Sequence, residues 1–153
     1  MKIRFSIVFA VLVLIFVAVQ FIPSGIPANK PEDGKSIAND SLMTEPVIEQ
    51  LRISCIDCHS NQVTLPWYSK VAPFSWLLAS HIDEGRSHLN FSEWGLYSNR
   101  EKIGILEEIR DEVASGGMPL KSYLMIHRDA RLDSAAVSGI LTWVDDATAS
   151  ILE

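Results

Sequence analysis

The chain has only two cysteines, three positions apart, and a histidine directly follows the second: Cys55-Ile56-Asp57-Cys58-His59. This rules out a scaffold of several disulfides and gathers all the cysteine chemistry at one turn. At this spacing two thiols reach both vinyl groups of one haem to form thioether bonds, and the adjacent histidine is forced beneath the iron as proximal ligand. With two cysteines and four histidines in 153 residues, a chance occurrence is on the order of one in a thousand. Cys55 and Cys58 are therefore the expected attachment points of one haem c per chain, and His59 the expected proximal iron ligand.

Other uses of these residues compete less well. A thioredoxin-like redox pair follows a strand in a βαβ unit, whereas Pro46 to Ile53 reads as helix. A zinc site needs a fourth ligand, and an adjacent Cys-His pair seldom wraps one tetrahedral ion. A plain structural disulfide is the remaining alternative.

Phe5 to Ile22 (FSIVFAVLVLIFVAVQFI) is an 18-residue run without a charge, preceded by Lys2 and Arg4. As a helix it covers about 27 Å, close to the hydrocarbon thickness of a bilayer. A secretory signal has a shorter apolar region and a small-x-small cleavage site; here Ala18 is preceded at minus two by Phe16, Ser24 by Ile22 and Ala28 by Ile26. Residues 1–22 are expected to form an uncleaved transmembrane helix, with a cleaved signal and then an internal core helix as the alternatives. Basic residues ahead of the run direct the chain beyond it outward, so the working part is expected outside the cytoplasm. Beyond residue 22 the chain carries 11 basic against 19 acidic side chains, a net charge of −8, which makes nucleic acid an unexpected partner.

Residues 23–43 hold Pro23, Gly25, Pro27, Pro31 and Gly34 among polar residues and read as a flexible tether. In residues 44–153 the apolar residues fall at helical spacing. One helix is expected over about Glu45 to Ile53, through Val47, Ile48 and Leu51. A second starts near Pro73, with Phe74, Leu77, Leu78 and Ile82 on its buried face. Ser98-x-x-Glu101 is a capping box opening a third, which buries Ile103, Leu106, Ile109 and Val113 and stops at Gly116-Gly117. Asp133 caps a fourth, with Val137, Ile140, Leu141 and Val144 in period. The alternation of a sheet is missing. The expected fold is all-α: about four helices around one haem, behind the N-terminal helix.

On the far side of the iron the available ligands are His81, His88, His127, Met43, Met118 and Met125. Met118 comes first, because Gly116 and Gly117 let the backbone approach a flat cofactor and Pro119 stiffens the loop. His127 is the second candidate, and an open or water-bound position also stays in play. Trp67, Tyr68 and Trp76 offer N–H or O–H groups to a haem propionate, with core packing an equal reading. Lys70 and Arg86 are propionate partners or simply solvated charges. His81 reads as a core or surface histidine. His127, one turn beyond Tyr123, reads also as a brace for the Met118 loop.

The segments CIDCHSN (Cys55 to Asn61), PWYSKVAPFSW (Pro66 to Trp76), EGRSHLNFSEW (Glu84 to Trp94), GGMPLKSYLMIH (Gly116 to His127) and the late Trp143 resemble the small haem-binding domain family of bacterial c-type cytochromes, over about Thr44 to Ala147. The run ending Gln20-Phe21-Ile22-Pro23 is similar to the membrane anchors of that family's single-domain members. The resemblance implies a periplasmic mono-haem cytochrome, with Cys55 and Cys58 carrying the haem, His59 proximal and Met118 distal. It supplies no reaction. The expectation is an electron carrier rather than an enzyme, held at the bacterial inner membrane through residues 5–22, facing the periplasm and exchanging electrons with redox partner proteins. A haem peroxidase or gas sensor with an exchangeable sixth ligand is the rival, although a peroxidase wants a distal histidine or arginine and only Lys121 stands near Met118. A haem subunit of a respiratory complex is the third reading.

Overall fold

The computed structural model describes residues 2–153, with side chains from Arg4 onward, so the side chain of Lys2 lies outside the described residues. The helices are α1 (Lys2–Val19), α2 (Glu45–Ser54), α3 (Ile56–His59), α4 (Phe74–His88), α5 (Asn99–Ser115), α6 (Lys121–Leu124) and α7 (Ser134–Leu152). Four short 3-10 turns join them, and no strand occurs among the described residues. The fold is all-α, and α2, α4, α5 and α7 are the four helices that the apolar spacing marks. α3 and α6 are single turns, too short to show a period.

Local chemistry sets the ends of the long helices. Ser98 accepts the Glu101 N–H and the Glu101 carboxylate accepts the Ser98 N–H at 2.8 Å, which closes the capping box of α5. Gly116 ends that helix in the left-handed region at φ 70°, which only glycine adopts without strain. Asp133 accepts from Ala136 N at 2.8 Å to start α7. Pro73 caps α4 from outside.

α5 and α2 both pack against α7. Between them Leu51, Phe91, Trp94, Leu106, Ile140, Trp143 and Val144 form the main core. A smaller core of Val63, Tyr68, Leu78 and Ile82 sits under α4. α3 packs against α4. That approach requires Gly85, since a Cβ there would stand 2.9 Å from the Cys58 carbonyl oxygen.

Two expectations about the N-terminal part are corrected. The stretch read as a flexible tether is laid against the domain. Asn29 exchanges two hydrogen bonds with the Val63 backbone, at 3.0 and 2.9 Å, Gly95 N donates to Lys35 O at 2.8 Å, and Ile37 is fully buried in the main core. One isoleucine among polar residues gives no periodic signal, and a side-chain amide that completes a backbone ladder has none either.

The apolar run does not continue as helix to Ile22. α1 ends at Val19, where Gln20 commits its amide to Phe16 O at 2.9 Å and to the Ala72 backbone. Phe5 to Val19 gives about 22 Å of apolar helix against roughly 30 Å of hydrocarbon. Among the described residues no helix is long and apolar enough to cross a membrane. The sides of α1 are exposed all round, Phe5 at 76% and Leu14 at 67%, so it is no core helix either.

Candidate functional site

A cavity of about 660 Å³ opens between α3, α4, the end of α5 and the segment from Met118 to Ile126. It is lined by Cys55, Cys58 and His59 from the attachment turn, by Met118 from the loop after α5, and by Leu51, Leu78, Leu89, Phe91 and Ile140 from the cores. The volume falls within the range of cofactor sites, about 300–1,000 Å³, and the wall is mainly apolar.

The attachment turn hangs on a single carbonyl. Cys55 N closes α2 on Leu51 O at 2.9 Å, and Cys55 O accepts from Cys58 N at 3.1 Å and His59 N at 3.0 Å. This single helical turn sets the two cysteines three positions apart on one face. Neither thiol is in a disulfide. Burial, and then the neighbouring Cys58, push the Cys55 thiol up to about 12; burial and then Asp57 push Cys58 up to about 11. Burial thus favours the protonated thiol at both positions. Among the described residues no cluster of three or more histidine, cysteine and acidic side chains is arranged around a bare metal ion.

His59 lines the cavity with its Nδ1 engaged by the backbone. Its Nδ1 lies 3.2 Å from Leu89 O, and a carbonyl only accepts, so Nδ1 carries the proton and donates. Burial holds His59 below its ordinary value, against backbone hydrogen bonds to Leu89 and Gly85 that work in the opposite sense. A backbone acceptor on the other ring nitrogen is the usual support of a metal-binding histidine. The cavity, the two free thiols and this tautomer together fit a haem.

The end of α5 places Met118. Gly117 N and Met118 N both donate to Glu112 O, at 2.9 and 3.2 Å. Met125, His81 and His88 also line the cavity. Met43 packs against the main core instead. His127 is outside the lining, its Nε2 2.9 Å from the Tyr68 hydroxyl.

The expected propionate partners divide. Tyr68 lines the cavity, whereas Trp76 does not and Trp67 is 79% exposed. Lys70 is exposed. Arg86 donates from Nε to Ser60 O at 2.7 Å, and one of its terminal nitrogens is buried without a partner. Among the described residues no lysine or arginine lines the cavity, while Asp57, Glu84, Glu108 and Glu112 do.

Two residues escape a reading of the sequence. Tyr123 donates to Asp57 Oδ2 at 3.2 Å, and its ring stacks on His127 at 4.2 Å and 12°. Burial first, then Asp57, pushes the Tyr123 phenol up, so it stays a donor. The signal that points to them is weak: an acid inside the attachment motif, and an aromatic one turn before a histidine.

A family model described as a haem-binding domain matches residues 14–146, from the second half of α1 into α7. No curated protein and no solved structure matches the chain.

Proposed function

The chain belongs to the haem-binding domain family, and we propose on that premise that it is a membrane-held mono-haem c-type cytochrome that carries electrons and is not an enzyme. One observation carries the reading: Cys55, Cys58, His59 and Met118 line the same cavity. A haem bound there supplies a one-electron ferric–ferrous couple. Cys55 and Cys58 would hold it through thioether bonds to its vinyl groups, and His59 and Met118 would serve as its iron ligands. A thioether ligand and an apolar wall favour the ferrous form and raise the potential, while the four carboxylates around the cavity work in the opposite sense. The exposed stretch of α1 from Phe5 to Val19, apolar apart from Ser6, would hold the domain at the periplasmic face of an inner membrane without crossing it as a full span. Redox partner proteins supply and remove the electrons.

The test is denaturing electrophoresis with haem staining, after expression of the full chain beside a c-type maturation system. The expected result is stain that stays with the chain in the wild type and is lost in the Cys55→Ala Cys58→Ala variant. Haem that washes off the wild type, or stain retained by that variant, overturns covalent attachment.

A further inference from the structure

The loop that carries Met118 is tied to the attachment turn by polar side chains that the ligand set does not use. Tyr123, on α6 and five residues beyond Met118, reaches across to Asp57, which stands between the two cysteines. The other Asp57 oxygen accepts Thr64 N at 2.9 Å, so the carboxylate is held in place. Behind Tyr123 lies the stacked ring of His127, which meets the Tyr68 hydroxyl, and Tyr68 belongs to the smaller core.

Little else secures this segment. α6 is a four-residue turn that buries no side chain, and so short a helix has no stability of its own. Met125 is 78% and Ile126 57% exposed. Hydrogen bonds to a charged acceptor are among the stronger ones in a protein, and here one stands where apolar burial is thin.

The geometry points to Asp57, Tyr123, His127 and Tyr68 as positioning residues that latch the Met118 loop onto the attachment turn and hold the thioether over the iron. The role at the iron rests on Met118 being the sixth ligand; the latch itself is a property of the polypeptide. Tyr123 supplies the hydroxyl and Asp57 the acceptor, while His127 and Tyr68 hold the Tyr123 ring at its angle. The latch therefore joins the proximal and distal sides of the site directly, without passing through the core.

Tyr123→Phe keeps the ring stack and removes the hydroxyl, and amide hydrogen exchange on the full-length chain without haem reads the result. The Leu124, Ile126 and His127 amides, which donate to Leu120 O and Tyr123 O, are expected to exchange about tenfold faster. Those of α5 and α7 keep their wild-type rates, and Asp57→Asn, which gives up the charge and one of the two acceptor oxygens, is expected to speed exchange of the same three amides. In the haem-loaded, reduced protein Tyr123→Phe is expected to bind carbon monoxide about tenfold faster than wild type, though more slowly than Met118→Ala. Unchanged exchange in the loop, or faster exchange spread equally over α5 and α7, overturns the latch. A fast Met118→Ala beside a wild-type-like Tyr123→Phe overturns its action at the iron alone. Met118→Ala no faster than wild type overturns the ligand assignment, and the action at the iron with it.

Discussion

Met118 owes its place to one carbonyl, Glu112 O, which takes the N–H groups of both Gly117 and Met118 where α5 ends. The side chain is thus aimed by a helix terminus, with a buried proline directly after it. Met118→Ala is expected to open the sixth position. The reduced, haem-loaded protein then admits carbon monoxide and its potential falls, both read by optical titration; unchanged spectrum and potential would count against the assignment. Gly85 is the second sensitive position, since any side chain there meets the Cys58 carbonyl oxygen. Gly85→Val is expected to push α4 off α3, destabilising the domain by about 1–3 kcal/mol in a denaturant titration and lowering the fraction that retains haem. That Cys55, Cys58, His59 and Met118 share one cavity is in keeping with a sequence that singles them out through two local patterns, the Cys-x-x-Cys-His spacing and the Gly-Gly-Met-Pro loop. Gly85, the Tyr123–Asp57 bond and the turning of Arg86 toward Ser60 O depend on which elements meet, and no local pattern reports that.

Helix ends are readable for the same reason: a cap is a bond between neighbours three residues apart. Ser98-x-x-Glu101 and Asp133 act where the sequence puts them, while the single turns α3 and α6 have neither period nor cap to announce them. Asp133→Ala is expected to destabilise the domain by about 1 kcal/mol, read from the shift in denaturant midpoint. The other cap titrates. Hydrogen bonds from the Ser98 hydroxyl and then the Ser98 amide hold the Glu101 carboxyl below its ordinary value. A carboxyl depressed in the folded state adds stability above its unfolded value, and loses it as pH falls through the folded one. Ser98→Ala should therefore destabilise the wild-type chain more at pH 7 than at pH 3; an equal difference at both would show that the box is not formed in solution.

For the molecule as a whole, the proposed seat of α1 in a membrane is open to a direct test. Membrane fractionation with carbonate washing should leave the full chain in the pellet and move a chain lacking residues 2–22 to the supernatant. N-terminal sequencing that finds a mature chain starting near Ser24 or Asn29 would instead identify the run as a cleaved signal. The junction carries a further consequence. Gln20 grips both the N–H and the carbonyl of Ala72, at 2.9 and 3.2 Å, Ile26 packs on the smaller core, and Asn29 is pinned to Val63. A domain joined to its helix in this way does not sweep a hemisphere on a leash. Were α1 seated in lipid as proposed, its stand-off and tilt would be set, and the cavity would keep one bearing relative to the bilayer plane. Encounter with a partner would then be governed by lateral diffusion and by whether the partner's own redox centre lay at the same height, and lengthening the chain after Gln20 would trade that alignment for reach.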